Sequence, residues 1–234
     1  TGSWRQCWGV PCEAAVTGIA LPLNYQYDTG IPVFAVTNEG MFYRSDDDFE
    51  TVYFEHTFLD KLGVAPIPCT AIVVGGASSF DNNLYVATWG DGGRGNPWGG
   101  DPAGWSNISP STPDLDYCNS LSITSEATQK LWAAASDAGY PIQVYSGSNV
   151  WVSKTPISLA EYDVLTIHAS WVNPANMWAG SALKGMWRSM DYGTSWSPPA
   201  MEASAPNGTL RSGRSVTVPT LPPTARSGKG EATA

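Results

Sequence analysis

Apolar residues recur along this chain in short runs that end in small or polar ones, at a spacing far longer than any helical period. Four runs share one phrase: "PVFAVT" at 32–37, "LYVATW" at 84–89, "LWAAAS" at 131–136 and "MWAGSA" at 177–182. With Phe34, Tyr85, Trp132 and Trp178 taken as equivalent, the spacings are 51, 47 and 46 residues. A polar turn precedes each phrase. A second β-branched run lies ahead of each turn, in "TGIALPL", "TAIVVGG", "SLSITS" and "VLTIHAS". Such runs, bounded by Gly, Asp, Asn and Pro, predict short strands. No amphipathic helix is predicted; "HTFLDKLGV" at 56–64 reads as one loose turn at most.

A second marker keeps the same period. In "SMDYGTSW", Ser189, Asp191, Gly193 and Trp196 fit the pattern S-x-D-x-G-x-[ST]-W. Weaker copies end at Val52, Trp105 and Trp151, and Trp4 begins the series, giving intervals of 48, 53, 46 and 45. Two markers with one period establish an internal repeat of about 47 residues. Each unit predicts four strands, a small sheet that cannot bury both faces alone, so neighbouring sheets must stack. The predicted fold is all-β, a β-propeller of four-stranded antiparallel blades, four to five in number or part of a larger ring.

Composition narrows the function. The chain has 234 residues, 42% hydrophobic, with 11 Trp, which is ample for a core. Only 14% of residues are charged, against about 25% in ordinary soluble domains. A net charge of -9 with no basic run argues against nucleic acid and anionic membranes. No apolar stretch reaches the 18 residues a spanning helix needs. The first residue is Thr rather than Met, which suggests a processed chain or an excerpt of a longer one. Cys7, Cys12, Cys69 and Cys118 form no CxxC pair, and His56 and His168 lie far apart, so neither a metal site nor a cofactor is expected. Their even count suits two disulfides outside the cytoplasm, Cys7–Cys12 and Cys69–Cys118 among three possible pairings; four buried thiols are the alternative. Asn107-Ile-Ser and Asn207-Gly-Thr are glycosylation sequons.

The "SMDYGTSW" motif at 189–196, with "GMFYRSDDDF" at 40–49 and "GMWRSMDYGTSW" at 185–196, resembles the Asp-box, or BNR repeat. Propellers of that group include sialidases, xyloglucan-type glycosidases, sortilin-like ectodomains and photosystem assembly factors. The resemblance covers roughly residues 1–200 and implies that Asp191 forms a turn and Trp196 packs beneath it. Asp47 or Asp48 takes the same role in the first copy, and the acidic run 46–48 then needs no calcium. Expected blades are 19–65, 66–115, 116–160 and 161–205. Segment 1–18 supplies an outer strand of a closing or preceding blade, and 206–234 supplies closing strands, a flexible Pro/Thr/Ser/Gly-rich tail, or both. Ring closure as a fifth blade, an excerpt of a larger propeller and a four-bladed ring all remain open.

An enzyme needs its acid/base pair or nucleophile. Arg44 and Arg188 hold equivalent repeat positions before the box, which makes them structural and argues against a sialidase arginine triad. Carboxylates outside the boxes are Asp91, Asp101, Asp114, Asp116, Glu161 and Asp163. One segment interrupts the regular pattern: "WGDGGRGNPWGGDPAGW" at 89–105, read as a long loop. Its Trp98, Asp91, Arg94 and Asp101 are the candidate ligand-binding residues, since Trp with flanking polar groups suits a sugar face. Trp89 and Trp105 fall on repeat-core positions. "GDGGRG" lacks the GK[ST] ending and the helix of a phosphate loop. The sequence therefore fits a non-catalytic extracytoplasmic propeller (secreted, periplasmic or cell-surface) acting as a protein-binding scaffold or assembly subunit. A lectin-like propeller with a polysaccharide ligand, or a fragment of a glycoside hydrolase, is the alternative.

Overall fold

The computed structural model describes residues 14–22, 25, 30–60, 62–75, 82–98, 104–109, 115–124, 130–136, 139–146 and 150–198. All belong to one unit, Thr1–Pro199; Ala200–Ala234 lies outside the described residues. Four antiparallel sheets follow one another, each a meander in sequence order. Blade 1 holds β1 (Val16–Ala20), β2 (Val33–Thr37), β3 (Met41–Ser45) and β4 (Tyr53–Thr57). Blade 2 holds β5 (Cys69–Gly75), β6 (Asn82–Thr88), β7 (Gly93–Trp98) and β8 (Ser106–Asn107). Blade 3 holds β9 (Cys118–Ile123), β10 (Leu131–Ala135), β11 (Ile142–Tyr145) and β12 (Trp151–Ser153). Blade 4 has three strands, β13 (Val164–Ala169), β14 (Met177–Ser181) and β15 (Gly185–Ser189). Among the described residues its fourth position is marked by a bridge between Arg188 and Ser197. The fold is that of a β-propeller.

The second strands β2 and β10 are buried along their whole length because each is covered on both faces. Each gap between blades is filled by one cluster. Phe34, Val36 and Phe42 of blade 1 meet Ile72, Leu84 and Val86 of blade 2. Tyr85 and Val73 of blade 2 meet Leu131, Ala133 and Trp151 of blade 3. Trp132, Ile142 and Val144 of blade 3 meet Ile167, Met177 and Ala179 of blade 4. The repeat position Phe34, Tyr85, Trp132 thus always faces the next blade. Trp105, Trp151 and Trp196 likewise each pack back on the blade before: Trp105 lies edge-on to Phe42 and Phe58 at ring distances of 5.2 and 4.8 Å. Trp151 Nε1 donates to Ile108 O at 2.7 Å, and Trp196 joins the Trp132 cluster.

A hydrogen-bonded strap repeats near the inner edge. The second residue of each inner strand donates to the first carbonyl of the next one: Thr17 Oγ1 to Cys69 O at 2.7 Å, Thr70 Oγ1 to Cys118 O at 2.6 Å and Asn119 Nδ2 to Val164 O at 2.8 Å. Each converts a carbonyl left over at a strand end into a link between sheets. The corresponding residue of blade 4 is Leu165, which has no donor to offer.

Two of the expected turns are now visible in detail. At 189–195, Ser189 Oγ donates to Asp191 Oδ1 at 2.8 Å and accepts from Gly193 N at 2.8 Å, while Asp191 Oδ1 accepts from Ser195 N at 2.8 Å. The degenerate copy at 45–51 repeats this: Ser45 Oγ to Asp47 Oδ1 at 2.9 Å, Phe49 N to Ser45 Oγ at 2.8 Å and Thr51 N to Asp47 Oδ1 at 2.7 Å. Asp47, not Asp48, is the turn-forming carboxylate. Both carboxyls titrate below their usual range. Bonds to Ser195 and Ser189 hold Asp191 down to about 2, and the Thr51 bonds lower Asp47. Trp196 is buried at the end of its turn.

One expectation needs correcting. Cys69 and Cys118 are not bridged. They head neighbouring inner strands and point into different clusters, Cys69 between blades 1 and 2 and Cys118 between blades 2 and 3. Burial pushes the Cys69 thiol up to about 12, so it behaves as a small apolar side chain. Cys7 and Cys12 lie outside the described residues. The described residues of 56–64 hold no helix and one turn, as expected: His56 and Thr57 end β4, Gly63 N donates to Asp60 O at 2.8 Å, and a hairpin forms around it. In that hairpin Ile67 N donates to Phe58 O at 3.0 Å, and Leu59 pairs with Pro66.

Candidate functional site

The rim between blades 1 and 2 collects most of the chemistry. It begins with the turn 58–67. Asp60 Oδ1 accepts from Leu62 N at 3.1 Å and Val64 N at 2.9 Å, while Asp60 N donates to Ala65 O at 2.9 Å. These bonds, led by that of Val64, lower the Asp60 carboxyl. An aspartate that closes a turn on itself in this way holds the tip without help from a core. The tip carries Leu62, 84% exposed, and Val64, 77% exposed. Its base is fixed at Gly40, whose φ is +75° and where an added Cβ would come within 2.5 Å of Ile67 O.

Beside the tip opens a cleft of about 190 Å3, lined by His56, Thr57, Phe58, Leu59, Arg94 and Trp105. His56, from β4, stands edge-on to Phe58 at 4.9 Å and near-parallel to Trp105 at 6.3 Å. Burial, and then the Arg94 charge, lower the His56 pKa, so the imidazole is neutral around pH 7. Arg94, from β7, is ion-paired through Nη2 to Asp91 Oδ2 and also donates to Leu59 O at 3.4 Å. Burial lowers its own pKa. Asp91 is fully buried in the β6–β7 turn, and its Oδ1 accepts no hydrogen bond. Gly92 carries a φ of +65° in the same turn, and Gly92 N donates to Asp116 O at 3.0 Å.

The segment 89–105 is thus not the long loop it resembled. Gly93–Trp98 is strand β7, paired along β6 from Ala87↔Gly93 to Asn82↔Trp98. Glycines at 93 and 95 fit a strand here because Ile108 side-chain carbons lie 3.2 and 3.0 Å from where their Cβ atoms would be. Of the four candidate residues, Asp91 and Arg94 come together as a pair that ties the turn to the strand. The Trp98 side chain and Asp101 lie outside the described residues. Sequence reading missed His56, Phe58, Leu59 and Trp105 as neighbours of Arg94. Phe58 and Trp105 are one repeat length apart, and that was the signal: residues so spaced face each other across adjoining blades.

Among the described residues no cluster of His, Cys, Asp or Glu could hold a metal ion. Those described carboxylates whose pKa is displaced, Asp47, Asp60 and Asp191, are all lowered by turn hydrogen bonds, the opposite of what a general acid requires. The arrangement can present an apolar tip and a half-buried guanidinium to another surface.

No family model and no curated protein matches this sequence. Solved structures do resemble it. A structure titled "YCF48 bound to D1 peptide" shares 12% identity at a TM-score of 0.52, covering 83% of this chain and 56% of that one. An ancestral GH74 enzyme gives 14% identity and a TM-score of 0.58, covering 82% of this chain but 25% of its own. The computationally designed Ika4 protein gives 10% and 0.51, covering 80% of this chain and 98% of its own. The chain therefore spans about half of the YCF48 structure and a quarter of the GH74 enzyme. At these identities the likeness shows the fold alone.

Proposed function

We propose that this chain is a non-catalytic, extracytoplasmic propeller that binds a protein partner as a scaffold or assembly subunit, and that the rim between blades 1 and 2 is the contact. The observation that carries this is the Asp60-braced turn, which holds Leu62 and Val64 in water beside the Arg94 cleft. Leaving two large apolar side chains on a rigid tip gains the monomer nothing, whereas rigid apolar anchors ringed by polar groups are what protein contacts use. The peptide in the YCF48 structure supports a protein ligand for this architecture. The matching turns at 45–51 and 189–195 support placing the chain among Asp-box propellers. Sparse charge and abundant Trp support a place outside the cytoplasm.

The test is isolation of the native protein with whatever accompanies it. A stoichiometric protein partner is expected, and Leu62→Asp with Val64→Asp should release it while the melting temperature stays within about 2 °C. A protein that runs alone and cleaves or binds a polysaccharide would refute the reading and return the glycoside hydrolase or lectin alternative. The GH74 neighbours favour that alternative, but three aromatic neighbours, His56, Phe58 and Phe42, already pack on Trp105 within the cleft.

A further inference from the structure

Among the described residues, blade 4 lacks the fourth strand that blade 1 has. Arg44 and Arg188 occupy the same place on the third strand, each packed over an aromatic ring at 5.6 Å, Tyr53 and Trp178 respectively. In blade 1 the fourth strand β4 supplies Glu55, whose Oε1 lies 3.4 Å from Arg44 Nε, and Asp46 takes Arg44 Nη2 at 3.1 Å. In blade 4 Arg188 Nη2 donates to Asn176 Oδ1 at 3.1 Å, and its Nε, like that of Arg44, is buried without hydrogen bonding; what blade 4 lacks among the described residues is a carboxylate in the place of Glu55.

The backbone tells the same story. Arg188 and Ser197 exchange two hydrogen bonds, 2.8 and 2.9 Å, as the first rung of a fourth strand. The next residues of the chain are Pro198 and Pro199. The next residue of β15 whose N–H points the same way as that of Arg188 is Met186, and a proline has no N–H to donate to a ladder. Among the described residues nothing else pairs with this edge. Met186 is 56% exposed and Leu183 80% exposed.

We propose that β15 is a strand-addition site: an extended segment of a partner protein, carrying one carboxylate, pairs along Gly185–Arg188 and places that carboxylate on Arg188 Nε as Glu55 is placed on Arg44. Ladder hydrogen bonds supply affinity and the Arg188 contact supplies selectivity. Charge decides the class of occupant, because Thr166, His168, Trp178, Gly180, Met186 and Arg188 form a face with no acidic group. The site is separate from the rim cleft, so it stands or falls independently of the reading above.

The probe is a synthetic heptapeptide with the sequence of residues 51–57, TVYFEHT, added to the full-length protein, with hydrogen exchange read at the Met186 amide. Saturating peptide is expected to slow that exchange at least tenfold, and a peptide with Gln in place of its Glu to bind about fivefold more weakly. Arg188→Met should erase the difference between the two peptides without changing the Leu62/Val64-dependent partner binding. Unchanged exchange at Met186, or equal binding of both peptides to the unaltered protein, overturns the proposal. Protection already present without peptide assigns the edge to the chain's own residues, and protection that grows with protein concentration assigns it to a second copy; either also overturns it.

Discussion

Blades 1 and 4 are built to one plan and differ where their neighbours differ. Their turns at 45–51 and 189–195 match bond for bond, yet the same backbone position holds Phe49 in one and Gly193 in the other, at φ of 65° and 70°. At Gly193 an added Cβ would run into the ring of Trp132 from blade 3. Phe49 is half-buried and keeps its ring. Glycine is required only where the preceding blade presses on the turn. The left-handed backbone by itself is affordable to a bulky residue, at roughly 1–2 kcal/mol.

That contrast can be broken most severely at its tight end. Gly193→Ala should destabilise by about 3 kcal/mol, combining left-handed strain with overpacking against Trp132, as read from urea unfolding midpoints. At the loose end, Phe49→Gly should move stability by no more than about 1 kcal/mol, because relief of strain and loss of a half-buried ring oppose each other. Equal costs at the two positions would show that the wall of Trp132 is not what separates them. Next in size are the straps: Thr70→Val should cost about 1 kcal/mol by freeing Cys118 O. Leu165→Val should cost less than half of that, since no strap leaves blade 4.

Acid should weaken both turns. Asp47 and Asp191 both titrate lower in the folded chain than the ~3.9 of an unfolded aspartate. Their stabilisation is therefore complete above pH 4 and drains away as pH falls, for Asp191 on through about 2. Asp191→Asn should flatten the acid limb of a stability–pH curve; an unchanged limb would mean the carboxyl carries no such linkage. The smallest effect belongs to the arginines. Glu55→Gln should cost under about 1 kcal/mol, because the Arg44 pair is partly solvated, whereas Arg188→Met should be neutral or slightly stabilising until a partner is present.

The repeat made the fold legible. Phe34, Tyr85, Trp132 and Trp178 could be aligned by eye because a blade imposes one side-chain direction on every unit. The complete box at 189–196 likewise revealed a turn whose bonds are local in sequence. The candidate site was legible only in part. Asp91 and Arg94 stood out, but the apparent long loop concealed β7, since glycines read as loop until Ile108 is seen lying over them. The Cys69–Cys118 pairing failed because the two residues head the inner strands of different blades and point into different gaps, which linear spacing cannot reveal. His56 and Phe58 became neighbours of Arg94 only through the stacking of two blades.

The straps have a direction. Thr17, Thr70 and Asn119 each reach forward to a strand made later by the ribosome, never backward. A growing chain can therefore fasten a sheet only once the following one has emerged, and a chain cut short anywhere carries a single unlatched hydroxyl or amide at its last finished sheet. Synthesis order and assembly order coincide, and Leu165 is where that progression stops.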